Sequence, residues 1–156
     1  MILYHGSTTD IVQIDLAKSK PNKDFGRAFY LSLDREQAME MAQFKAAFED
    51  AEPVVNAFEF DESQLQQLSV KRFEDYSEDW AHFVYNNRTE PTGQTLHDYD
   101  IVYGPIANDR IGAQITRLKQ GYITFKEFLR RIKYIKGITF RYAFCTQRAV
   151  DKLIKL

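Results

Sequence analysis

The sequence has 156 residues, a length suited to one domain that buries about 70% of the surface its unfolded chain exposes. Apolar residues make up 44% of it, with twelve Phe, nine Tyr and one Trp, which excludes a disordered chain. A formal net charge of −1 excludes any bulk electrostatic demand for nucleic acid or a membrane surface, and a single cysteine, Cys145, excludes an internal disulfide. No run approaches the ~20 apolar residues of a membrane span, and the start lacks the basic, apolar pattern of a secretory leader, so the expected compartment is the cytoplasm.

In chain order, Met1–Tyr4 reads as a short strand leading into His5-Gly6-Ser7. The polar stretch KSKPNKD, 18–24, is loop chemistry, and Arg27–Ser32 is the next strand. Asp34 offers an N-cap with Gln37 three residues on, as in a capping box, opening an amphipathic helix to about Glu49 with Ala38, Met41, Ala42 and Phe48 on its apolar face. Val54–Phe60 is a strand, and a short turn or helix runs from Asp61 toward Leu68. Phe73–Tyr85 is predicted helical, with Trp80, Phe83 and Val84 on one face, and Asn86–Gln94 is a loop. Tyr99–Tyr103 is a strand ending at Gly104-Pro105, Thr124–Tyr134 a second amphipathic helix, Thr139–Cys145 a strand, and Thr146–Ile154 a closing helix. Strands and helices mix without strict alternation, which predicts an α+β fold in one domain spanning 1–156.

Two stretches carry chemistry. On a strand, His5 shares a face with Leu3 and Ser7, while Gly6 leaves backbone N–H and C=O open to an amide-bearing ring. Its histidine suits a ligand hydroxyl. Asp24-Phe25-Gly26 turns into a strand that delivers Tyr30 to a pocket wall, where its ring suits a planar cationic heterocycle. Taken alone, each stretch fits core packing better than catalysis. The DFG triplet has none of the glycine-rich loop, VAIK or HRD segments that a kinase needs.

Together, and in this order, the two stretches resemble those of ADP-ribosyltransferases of the diphtheria-toxin and poly(ADP-ribose)-polymerase type. Ala28 departs from the glycine usual there. The whole chain is similar to a small bacterial domain family of that fold, formerly of unknown function, through Tyr4–Ser7, Asp24–Tyr30, YDIVYGPIAND at 99–109 and FCTQRAV at 144–150. The resemblance implies two small packed sheets, antiparallel or mixed, flanked by helices and forming an NAD cleft. It implies NAD as substrate, bound through His5, Gly6, Ser7, Phe25, Gly26 and Tyr30, and Tyr30 in a catalytic role. The reaction implied is transfer of ADP-ribose from NAD to a macromolecular target, protein or nucleic acid. The biological role implied is an intracellular toxin paired with a small antitoxin protein.

Such enzymes need a glutamate or glutamine on a late strand. Arg141 stands at that position, and Gln147 is the alternative third residue. A guanidinium offers no acceptor and repels the developing cation, so two further expectations stand beside transfer. One is a catalytically inactive module that binds NAD, ADP-ribose or a partner, and the other is an NAD glycohydrolase. Glu127 or an aspartate of 98–109 is a further stand-in for the missing carboxylate. The spacing of His97, Asp98 and Asp100 matches no metal pattern, so no metal is expected. Asp109 and Arg110 are candidates for NAD phosphates or target, and Asn87-Arg88 for a ligand or partner. Arg130–Lys136, basic with interleaved aromatics, reads as a solvated helix face, and Cys145 as packing.

Overall fold

The computed structural model describes residues 1–133, 135 and 137–156. Twelve regular elements follow one another: β1 (Ile2–Ser7), β2 (Phe29–Leu31), α1 (Arg35–Glu49), β3 (Val54–Phe60), β4 (Val70–Arg72), α2 (Glu78–Thr89), β5 (Ile101–Ile106), α3 (Asp109–Lys119), α4 (Phe125–Ile132), β6 (Thr139–Phe144), α5 (Gln147–Val150) and β7 (Leu153–Lys155). They build an α+β fold with two small sheets. One has the order β1-β3-β7, wholly antiparallel; the other has the order β2-β6-β5-β4, with β4 and β5 parallel. A single bridge joins the sheets, where Tyr4 and Ser32 exchange both backbone hydrogen bonds at 2.7 and 2.8 Å.

The period of two along the strands sorts the core. Ile101 and Phe144 face the three-stranded sheet with Leu3, Phe29, Leu31, Phe58 and Phe60, whereas their neighbours Val102 and Ala143 face α2, α3 and α4 with Phe25, Trp80, Val84, Ile111 and Phe128. The four-stranded sheet is therefore buried on both faces. On the far side of the three-stranded sheet lies α1, packed on β1 and β3. Its buried side chains are Ala38, Ala42 and Ala46, an i, i+4 stripe of small residues. The stripe lets the helix sit so close that a Cβ on Gly6 would lie 2.0 Å from the Ala38 carbonyl oxygen.

Several expectations change. Phe48 and Met41 are exposed, because the close approach to Gly6 selects the alanines rather than the bulky residues of α1. Asp34 caps α1 through the N–H of Glu36, and Gln37 does not reach back to complete a capping box; its amide oxygen bonds Ser32 instead. The stretch expected to be helical from Phe73 begins only at Glu78, capped by Ser77, and β4 precedes it. Trp80 and Val84 are fully buried, Phe83 packs beside them, and α2 runs on through Asn86–Thr89 into the stretch expected to be loop.

β5 does not end at Gly104-Pro105 but runs through it to Ile106. β4 stops at Arg72, opposite Tyr103, so beyond Tyr103 one edge of β5 is unpaired and the missing proline N–H costs nothing there. α3 fills a stretch with no expected element. The expected helix to Tyr134 is α4, ending at Ile132; Tyr134 itself lies outside the described residues. The closing helix is a single turn, α5, followed by β7 on the open edge of β3. Among the described residues, no helix is long and apolar enough to cross a membrane.

Candidate functional site

The two expected stretches meet. β1 and β2 lie side by side through the Tyr4–Ser32 bridge, and the His5 Nδ1 sits 2.7 Å from the Tyr30 carbonyl oxygen. A carbonyl only accepts, so Nδ1 carries the proton and Nε2 keeps its lone pair as an acceptor. The ring stacks on Phe29 with centroids 4.2 Å apart. Burial, then the charge of Lys45, push the His5 pKa down to about 4, and Arg141 and Lys23 act in the same direction. His5 is thus a neutral imidazole of fixed tautomer, offering one acceptor.

Gly6 sits beside it. Tyr4 turns its backbone groups away from β3 toward Ser32, and two residues on, Gly6 turns its own to that same edge. The side where its missing Cβ would stand is filled by α1, so the glycine serves helix packing. Its carbonyl oxygen already accepts from Lys45 Nζ at 2.7 Å. Ser7 holds the chain after β1, its Oγ accepting from the Thr9 N–H at 3.3 Å.

Tyr30 closes the DFG turn. Its hydroxyl donates to the Gly26 carbonyl at 2.8 Å and accepts from the Phe25 N–H at 2.9 Å. Burial pushes the phenol well above its ordinary value, so it stays protonated and is no base near neutral pH. Phe25 is fully buried, in ring contact with Tyr30, Phe73 and Phe83. Gly26 has φ +85°, and a Cβ there would meet Thr95 at 2.6 Å. Asp24 is buried, with Oδ1 3.2 Å from Arg88 Nη1 and Oδ2 accepting from the Ala107 N–H at 2.6 Å. Burial raises its pKa, and Arg88 pulls against that rise. His97 donates from Nε2 to the Phe25 carbonyl at 2.7 Å and accepts at Nδ1 from the Tyr99 N–H at 3.1 Å.

Arg141 belongs to this neighbourhood. It lies on β6 opposite Gly104, and its guanidinium donates to the Gln37 amide oxygen and, at 3.3 Å, to the Phe140 carbonyl. That same amide oxygen accepts from Ser32 Oγ at 3.0 Å. The sequence pattern singled out neither Gln37 nor Lys45 as a site residue; both come from α1, one and three turns in, and only the tertiary contact of α1 with β1 reveals them. Lys20 and Lys23, from the loop before the DFG turn, complete a group of cations: Lys23 acts on His5, and Lys20 and Lys23 act on Lys45. The opposing charges of Glu49, and of Asp34 and Glu40, act on Lys45 and on Arg141 respectively.

The other candidates lie apart. Gln147 is exposed on α5 and donates to Asp151 at 2.7 Å, with no described contact to His5, Tyr30 or Arg141. Glu127 pairs with Arg130 and Arg131 on α4. Asp100 accepts from the Ser69 N–H, Thr146 and Arg148, bracing the sheet. Asp109 begins α3, and Arg110 lines a groove of about 520 Å³ with Ala113, Gln114, Arg131 and Ile135. Asn87 holds backbone groups of Phe83 and Leu96, and Arg88 pairs with Asp24, so both brace the turn. Of the basic stretch 130–136, Lys136 also lies outside the described residues. Burial pushes the Cys145 thiol up to about 12, so it is no thiolate nucleophile. Among the described residues no group of His, Cys, Asp and Glu is placed to hold a metal.

NAD is the group to test against these residues. The Nε2 acceptor of His5 suits a ribose hydroxyl, and the cations suit a pyrophosphate. At the pyridinium end, Lys45 already donates to the Gly6 carbonyl that the resemblance assigns to a carboxamide, and Arg141 adds a second positive charge that acts on His5. A family model described as protein of unknown function, DUF3990, matches residues 1–155. No curated protein and no solved structure matches the chain.

Proposed function

The chain belongs to the DUF3990 family, described only as proteins of unknown function, and from that premise we propose that the β1–β2 junction binds the ADP-ribose portion of an NAD-type dinucleotide as a non-catalytic module of the ADP-ribosyltransferase-like fold. The observation that carries this reading is His5: a neutral ring, its tautomer fixed by the Tyr30 carbonyl, with one free acceptor beside a group of cations. A ribose hydroxyl donates to Nε2, and the pyrophosphate meets Lys23 and Lys45. Arg141, at the position where the family resemblance expects a glutamate or glutamine, opposes an oxocarbenium-like state, although Asp34 and Glu40 act on its charge. Calorimetric titration of ADP-ribose tests the proposal: saturable binding to the protein and its loss in His5→Ala are expected, and unchanged binding in His5→Ala would refute it.

A second reading, ADP-ribose transfer from NAD to a macromolecular target, rests on the His5-Gly6-Ser7 and Phe25-to-Tyr30 order and on the meeting of those stretches at one junction. Released nicotinamide and ADP-ribose on macromolecules of a cell extract, measured for the protein and for Arg141→Gln, decide between them. Turnover by the unaltered protein overturns the non-catalytic reading. Turnover only by the variant identifies Arg141 as the block. Free ADP-ribose without labelled macromolecules would indicate a glycohydrolase. The intracellular toxin role and an antitoxin partner follow only if transfer is found.

A further inference from the structure

Resting on the ADP-ribose reading, we infer that the junction selects ligands by charge: it takes dinucleotides of ADP-ribose type that carry only the pyrophosphate anion, and it rejects the pyridinium of oxidised NAD. Two independent contacts carry this. Lys45 Nζ lies 2.7 Å from the Gly6 carbonyl oxygen, so an ammonium sits on the backbone acceptor next to His5. Arg141, which also acts on His5, is anchored by Gln37, whose amide oxygen Ser32 also holds, so the guanidinium is held by a bonded partner. Three segments that are distant in sequence, the loop carrying Lys23, helix α1 and strand β6, thus bring cations to one histidine.

A ligand's positive ring placed beside His5 meets the like charges of Lys45 and Arg141 in a partly desolvated site, where Coulomb terms are larger than in water. A ligand whose only charges are phosphates meets attraction from the same groups. NADH is the clean probe, since it has nearly the shape of NAD and lacks the positive ring.

The experiment is calorimetric titration of the full chain with ADP-ribose, NADH, oxidised NAD and inorganic pyrophosphate, in low and in near-physiological salt. ADP-ribose and NADH are expected to bind within about threefold of each other, and oxidised NAD about tenfold or more weakly. In Arg141→Gln and Lys45→Met that gap is expected to close to within about threefold. Raised salt is expected to weaken ADP-ribose and NADH more than oxidised NAD. The comparison of NADH with oxidised NAD uses the unaltered protein, so a variant that misfolds leaves the test intact. Equal affinity for the two redox forms overturns the charge selection and leaves the ADP-ribose reading standing. Failure of all three nucleotides to bind sinks that reading instead. Pyrophosphate binding as tight as ADP-ribose reduces the junction to a phosphate site and overturns both.

Discussion

Two histidines flank the DFG turn, and they differ in one lone pair. His97 has both ring nitrogens engaged with backbone, the Phe25 carbonyl on one side and the Tyr99 N–H on the other. His5 has one nitrogen on the Tyr30 carbonyl and the other left as an acceptor. Burial lowers the pKa of both, so both are neutral at physiological pH. A histidine with both nitrogens held by backbone has no capacity left for chemistry and acts as a staple. One with a single nitrogen held is oriented and still available. Charge state does not distinguish these two histidines; the count of remaining hydrogen-bond sites does.

The comparison can be broken at its most sensitive point, the strand under His5. Gly6→Ala places a Cβ 2.0 Å from the Ala38 carbonyl and 2.7 Å from the Ala42 N, both backbone atoms that cannot step aside alone. A loss of about 3 kcal/mol or more is expected in denaturant unfolding, with α1 displaced. A variant as stable as the parent would show that α1 does not pack as described.

Acid probes the two rings next. The folded-state pKa of His5 is depressed below its unfolded value of 6.5 to about 4. The unfolded chain therefore takes up the proton first as pH falls. The His5 contribution to stability is complete above pH 6.5, is lost between there and about pH 4, and amounts to at most about 3 kcal/mol. Melting temperature against pH should flatten in that window in His5→Gln. His97 shifts in the same direction, so His97→Gln should remove a further part of the slope. Unchanged slopes in both variants would contradict the neutral assignment.

Separating staple from binder needs the pair of alanine variants. His97→Ala is expected to cost about 2 kcal/mol, through two backbone bonds and its ring contacts with Phe83 and Tyr99. His5→Ala is expected to cost less stability while removing ADP-ribose binding. The reverse pattern would exchange the two roles. The smallest effect is Tyr30→Phe: about 1.5 kcal/mol for leaving the Phe25 N–H and Gly26 carbonyl without their shared partner, read as a shift in the denaturant midpoint at constant slope.

How much of this could be read from the chain alone depended on whether the signal was local. Val54–Phe60 alternates burial from Val55 onward and coincides with β3. The meeting of His5 with Tyr30 was expected only through the family resemblance carried by two short local motifs. Lys45 and Gln37 were hidden because nothing in the helical pattern of α1 marks them; the helix joins the site only through the fit between Gly6 and the alanine stripe. Of the expected apolar face, Ala38 and Ala42 are buried while Met41 and Phe48 are exposed, since apolar periodicity alone does not tell small from bulky when the partner surface is unknown. β7 was hidden because a three-residue edge strand takes its identity from the open edge of β3, and β4 likewise needs β5 beside it. Gln147, the alternative third residue, lies on α5 and donates to Asp151, with no described contact to His5, Tyr30 or Arg141.

The stapling of the DFG turn also sets when during folding this region can be finished. The turn is held by Asn22 to the Glu90 carbonyl, by Phe25 to His97 and by Asp24 to Ala107, contacts that span 68, 72 and 83 residues of sequence. Contacts of such separation carry a large loop-closure cost and form late. The turn, and with it the orientation of Tyr30 and His5, is therefore completed only when segments distant in sequence have come together, as the β2–β6 and β3–β7 pairings also require. Competence to bind would then lag behind the recovery of secondary structure during refolding, and a ligand would report completion of the fold rather than its beginning.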